Sequence, residues 1–152
     1  IYTKSDRIPP QYISSDAKIT KCIIGEGSEI YGEVTNSVIG SGVVIEEGAV
    51  VKDSIIMQDS VIGKGAVVDK SIVAEDVKVG AGAHLGVGEY APSKYDQKVY
   101  QFDLVTIGEH SVIPENVKIG RNTAISGVTT AEDYPNSELE SGGYSVKAGG
   151  IV

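Results

Sequence analysis

Tryptophan is absent from this 152-residue chain, and phenylalanine, methionine and cysteine occur once each. With aromatics at 6% and hydrophobic residues at 41%, the core has to be built from Ile, Val and Ala. The single Cys22 excludes an internal disulfide and a cysteine-based metal site, in keeping with a reducing compartment. Basic residues are also scarce: 13 Lys plus Arg stand against 21 Asp plus Glu, a net charge of −8. A chain so acidic lacks the cationic footprint that phosphate backbones need, so no nucleic acid is expected as a partner. No apolar run approaches the roughly 18 residues of a spanning helix, and the N-terminal IYTKSDRIPPQY has no apolar signal segment. No membrane partner is expected, and a cytoplasmic location follows as the expectation. The chain opens on Ile1 rather than Met, which suggests a fragment of a longer polypeptide.

What the chain has in quantity is β-branched aliphatics and 19 glycines. The first fit a pleated surface and the second fit tight corners, so strands are favoured over helices. Aliphatic residues recur at Ile13, Ile19, Ile24, Ile30, Val34, Ile39, Ile45, Val51, Ile56, Ile62, Val68, Val73, Val79 and Leu85, mostly in steps of six with a five closing each group of three. Three columns result, exemplified by Ile39, Ile56 and Val73, by Ile45, Ile62 and Val79, and by Val51, Val68 and Leu85, with 17 residues between members. Glycine follows the anchor at Gly25, Gly40, Gly63, Gly80, Gly86, Gly108 and Gly120, as expected for positive φ or close backbone approach at corners. A small or β-branched residue comes four after the anchor, from Ser28 and Val43 through Ser111, Val117 and Thr123.

This spacing predicts an all-β fold: a single-stranded parallel β-helix of hexapeptide repeats, three short strands per coil and about five to six coils. The expected organisation is a linker over 1–12, the β-helix over 13–128 interrupted by a loop at 86–106, and a tail over 129–152 packing on the helix. Of the eight tyrosines only Tyr31 is expected in a coil. The others read as docking surfaces or as seals for the prism ends.

Motifs for chemistry are thin. The stretch Gly80 to Gly86 lacks the third glycine of a dinucleotide loop, and Cys22 occupies the slot that Ser37, Ser54 and Ser71 fill in other coils. His84 and His110 fall at outward or corner positions. One alternative reading makes either of them the general base of a hexapeptide acyltransferase using acyl-CoA. No catalytic residue and no metal site is assigned.

The string Ile1-Tyr2-Thr3-Lys4-Ser5-Asp6-Arg7-Ile8-Pro9-Pro10 closely resembles the linker of glucose-1-phosphate adenylyltransferases, and coils such as Ile30 to Ile39 look like that family's C-terminal β-helix. The resemblance implies a left-handed helix and a parent enzyme joining ATP and glucose 1-phosphate into ADP-glucose and pyrophosphate for glycogen synthesis. Its Mg²⁺ would sit in an N-terminal catalytic domain, and that domain's G-G-x-G-x-R-L motif is not in this sequence. The fragment would then be inactive alone and hold no cofactor. Its implied partners are its own N-terminal catalytic domain, sister subunits of a homotetramer, and small anionic effectors. Candidate cations for a dianionic effector are Arg121, Arg7, Lys118, His84 and Lys78, with Arg121 foremost because a guanidinium suits bidentate phosphate binding and follows Gly120 at what reads as an exposed corner.

Overall fold

A chain whose aliphatic side chains recur at corners of a triangle can bury them only by stacking one triangle on the next. In the computed structural model, which describes residues 8–147, it does so. Three parallel sheets form the walls of a prism. Sheet A has six strands, from Tyr12–Ile13 through Val112–Ile113, while sheets B and C have seven each, from Lys18–Thr20 to Glu138–Leu139 and from Ile23–Ile24 to Tyr144–Val146. The chain visits A, B and C in turn, giving six complete coils. A seventh consists of the last two strands and an isolated bridge from Val128 to Val112.

The register is the one the columns require. Ile45 pairs with Ile62 and Ile62 with Val79 in sheet A; Val51 with Val68 and Val68 with Leu85 in sheet B; Ile39 with Ile56 and Ile56 with Val73 in sheet C. Each anchor from Ile30 to Ile125 is buried. The residues four after the anchor, Ser28, Val43, Ala49, Ser60, Ala66, Val77, Ala83, Ser111, Val117 and Thr123, are buried too. They fill the inside of the corners, where only small or branched side chains fit.

The corners sort the two roles open to glycine. At Gly25, Gly40, Gly63 and Gly80 an added Cβ would stand 2.6–2.7 Å from backbone of the next coil, so these positions need close approach. Positive φ comes two residues later, at Gly27, Gly42, Gly48, Gly65 and Gly82, and equally at Asp59, Asp76, His110, Asn116 and Asn122. Gly86 needs both freedoms, with φ +87° and only 2.3 Å from an added Cβ to the Asp69 carbonyl oxygen.

The short corner between sheets B and C is held by a serine ladder. Ser54 donates its backbone N–H to Ser37 Oγ and Ser71 donates to Ser54 Oγ, both at 3.1 Å, while each hydroxyl donates to a carbonyl two residues back. Cys22 sits in the same slot and points its thiol at the Thr20 and Val34 carbonyls.

Beyond the sixth coil the expected tail is part of the stack. Thr130 donates N–H and Oγ–H to Asp133 Oδ2 across a short 3₁₀ turn, Ala131–Asp133, and Lys147 pairs with the same carboxylate at 2.6 Å. The Lys147 ion pair, with these Thr130 bonds, holds the Asp133 carboxyl below its usual range. Tyr134, 2% exposed, plugs the core at this end, its hydroxyl donating to Thr129 Oγ1 and its pKa pushed up to about 12 by burial. Tyr12 and Tyr144 also differ from expectation, since both are paired within the coils rather than lying outside them. The 1–7 segment that carries most of the linker resemblance, Arg7 included, lies outside the described residues.

The serine ladder generates a stability prediction. Ser54→Ala leaves the buried Ser71 N–H without an acceptor, which should cost about 1–3 kcal/mol. Urea unfolding checks this, and an unchanged midpoint would mean that the ladder is dispensable.

Candidate functional site

The long loop leaves the stack after the strand His84–Val87 and re-enters at Val105–Ile107, and Arg121, one coil above, is placed across that gap. Its Nε donates to the Gly88 carbonyl at 2.8 Å, its Nη1 to Asp103 Oδ2 at 3.3 Å and its Nη2 to Asp69 Oδ2 at 3.1 Å. Arg121 thus ties the exit of the loop, its re-entry and the coil below into one network, which Lys70 joins by pairing with Asp103 at 3.4 Å. The expectation of an exposed Arg121 is corrected: the side chain is only 19% exposed, and all three of its nitrogens serve groups of the chain itself. Sequence reasoning missed the acids because Asp103 and Asp69 reach the same guanidinium only once the loop has left the stack and returned to it. Ser71 pairing with Val105 sets that return.

The network is finely balanced. Asp69 Oδ1 and Asp103 Oδ1 are buried and accept no hydrogen bond, so part of the attraction is offset by desolvation. Further contacts fasten the loop over the last coils. Asn122 Nδ2 donates to the Ala91 carbonyl, the Lys94 N–H donates to Gly142, Lys94 pairs with Glu140, and the Tyr95 ring lies 5.1 Å from that of Tyr144.

The remaining predicted cations divide between two walls. His84 and Lys118 are register neighbours on the outer face of sheet B, with Glu138 next above and 3.6 Å from Lys118. Lys78 lies on sheet A between Val61 and Val112. The two histidines are also apart. Val67 and Lys118 flank His84 and supply no carboxylate to orient it as a base. His110 holds a left-handed corner and meets Asp76 Oδ2 through Nδ1 at 2.9 Å. The Asp76 hydrogen bond raises the His110 pKa above 6.5, reinforced by the charges of Asp76, Glu109 and Glu75. Among the described residues no group of three or more His, Cys, Asp or Glu gathers to hold a metal, and no helix is long and apolar enough to cross a membrane.

The family model described as GlmU-like, C-terminal hexapeptide matches residues 8–107, most of the described prism. The chain belongs to that hexapeptide family. Its relatives are glucose-1-phosphate adenylyltransferases: that of Lachnospira eligens is 70% identical over 98% of this chain, and that of Thermotoga neapolitana is 55% identical over 94%. The hexapeptide chain spans about a third of those proteins, 35% and 34% of their lengths, and corresponds to their C-terminal part. The acetyltransferase domain of PglB from Neisseria gonorrhoeae is similar in structure, with a TM-score of 0.52 over 92% of this chain and 52% of that one. At 20% identity that likeness shows the hexapeptide fold alone.

Two outcomes test this geometry. Arg121→Ala takes the cationic partner from Asp69 and leaves Asp103 with Lys70, so it should cost about 2 kcal/mol, discounted for partial exposure. Trypsin should then cut after Lys94 or Lys98 several-fold faster; an unchanged rate would show that the loop is held elsewhere. For His110, a native partner raises the pKa, so the stabilisation is complete below 6.5 and is lost as pH rises through the native value. A proton NMR titration should place the His110 midpoint above 6.5 and move it down in Asp76→Asn. A native midpoint at or below 6.5 would contradict the pairing.

Proposed function

We propose that this chain is the C-terminal regulatory and oligomerisation domain of an enzyme that makes ADP-glucose and pyrophosphate from ATP and glucose 1-phosphate in glycogen synthesis. The observation that carries the reading is the 70% identity, over nearly the whole chain, to the C-terminal third of a glucose-1-phosphate adenylyltransferase. The chemistry belongs to the polypeptide that precedes these coils, together with the Mg²⁺ that neutralises the transferring phosphates. The domain is inactive alone, and its contribution is rigidity: a prism whose walls hold the preceding domain and sister subunits in fixed register within a homotetramer.

Small anionic effectors act on the same assembly. Of the candidate cations, His84 and Lys118 are favoured because they share one wall and adjacent strands, so that a dianion can meet both. Lys78 faces another wall, and Arg121 acts at one remove by fixing the loop beside them.

The experiment is one assay on the full-length enzyme. Pyrophosphate release from ATP and glucose 1-phosphate should be absent for residues 1–152 alone and present for the whole enzyme, whose activation by a sugar phosphate should weaken several-fold in Lys118→Ala. A whole enzyme without ADP-glucose synthesis would refute the activity, and an unchanged activation curve would refute the effector wall.

A further inference from the structure

A chain with aromatics at 6% gathers many of them at one end. Tyr95, Tyr100 and Phe102 stand in the long loop, and Tyr144 lies in the last strand of sheet C. The Tyr95 ring is 5.9 Å from that of Tyr100 and 5.1 Å from that of Tyr144, tilted by 52° and 41°. Water reaches most of the cluster: Phe102 is 72% exposed, Val99 58%, Tyr95 51% and Tyr144 50%. Tyr144 closes the outward column of sheet C, an uncharged run that begins at Ile23, Val38 and Ile55, whereas sheets A and B carry Glu29, Lys78 and Lys118 outward.

These rings are held in place by the loop itself. The buried Ser93 hydroxyl accepts the N–H of Tyr95 at 3.2 Å and of Asp96 at 3.3 Å. Asp96 then caps a single turn, its Oδ1 accepting the Lys98 and Val99 N–H groups and its carbonyl the N–H of Tyr100. Arg121 fixes the neck of the loop, and the Lys94 N–H fixes its middle to Gly142. The cost of ordering the rings therefore falls on folding and not on binding.

Three properties of the cluster select its occupant. It is neutral on a chain of net charge −8, since Lys94 pairs with Glu140 and Lys98 shares its turn with Asp96, so neither an anionic effector nor a basic partner is matched. It is small: at these exposures the three rings and Val99 offer about 400 Å², roughly half of the ~800 Å² that each partner of a stable protein interface contributes. It also keeps polar handles. Tyr31 and Tyr134 give their hydroxyls to Glu29 and Thr129, but among the described residues those of Tyr95, Tyr100 and Tyr144 meet no partner. Neutral, compact, and presenting ring faces beside free hydroxyls, the surface is complementary to a sugar, whose C–H face stacks on a ring while its hydroxyls bond at the rim. Rings tilted about Tyr95 suit a chain that curves from one residue to the next, as an α-linked glucan does and a flat β-linked one does not.

We propose that Tyr95, Phe102 and Tyr144, with Val99, form a surface binding site for an α-linked glucose polymer. The identity of the sugar rests on the reading of the parent enzyme as a maker of ADP-glucose for glycogen synthesis. The site would hold that enzyme on the polymer that its product extends.

The test is native gel electrophoresis of the full-length enzyme with and without soluble glycogen in the gel. Glycogen should retard the enzyme in proportion to its concentration, with maltoheptaose in competition and cellohexaose without effect. Phe102→Ala and Tyr95→Ala should each weaken the retardation about fivefold while leaving mobility in the plain gel unchanged, and Tyr95→Phe, which keeps the ring, should retain most of it. Absence of retardation in the unmodified enzyme, or equal retardation in both alanine variants, would overturn the proposal. Competition by cellohexaose would overturn the α-glucan assignment. Alanine variants that change the number of subunits in sedimentation and not the retardation would assign the cluster to a second copy and overturn it too. Pyrophosphate release measured alongside separates the two readings: retardation of an enzyme that makes no ADP-glucose supports the surface and refutes the activity, and ADP-glucose synthesis without retardation does the reverse.

Discussion

Every feature of this domain depends on the backbone of one coil hydrogen-bonding to the backbone of the next in a fixed register. Parallel pairing leaves neighbouring coils about 4.8 Å apart. At that spacing an inward aliphatic finds its like directly above and below, and a corner must fit under the corner that follows. The demand is severe for backbone as well as side chains, which is why Gly25, Gly40, Gly63 and Gly80 have no room for a Cβ. It also explains why a serine hydroxyl, able to donate to one carbonyl and accept from the next coil's N–H, recurs at Ser37, Ser54 and Ser71.

Such a stack tolerates an insertion only if both ends of the inserted segment return to adjoining points of one coil. Arg121 meets this requirement for the long loop by reaching exit, re-entry and the coil beneath at once. A lysine point charge would not span the three. The two orphaned carboxylate oxygens show that the arrangement is bought at some electrostatic cost, which fits a fastening rather than a rigid weld. Because the loop then lies over Asn122 and Tyr144, fixing its neck also steadies the terminal coil.

What could be read from the sequence follows from the same repeat. Columns such as Ile45, Ile62 and Val79 were legible because a six-residue period has one geometric solution, and Cys22 was legible as a stand-in for serine because its register neighbours are serines. The left-handed corner was not: Gly42, Asp59, Asp76 and His110 perform one backbone task with different side chains, so no single residue type marks it. Arg121 was misplaced for another reason. A guanidinium after Gly120 looks solvent-facing in a perfect repeat, and the acids that enclose it come together only when seventeen or so residues of loop are looped out. The tail was legible as a segment packing on the helix but not as a further coil, since its spacing departs from six and five.

The repeat itself says what the prism contributes to the structure. At 20% identity the likeness to an acetyltransferase domain concerns the coils alone, so the fold by itself assigns no one activity. A repeat built on identical inward columns fixes the interior so completely that variation is confined to the outward positions. Here those positions set three dissimilar walls on one rigid frame: one apolar and half covered by the chain's own loop, and two carrying charge. A frame of this kind keeps its three walls at a constant angle and distance, and only their outward chemistry differs.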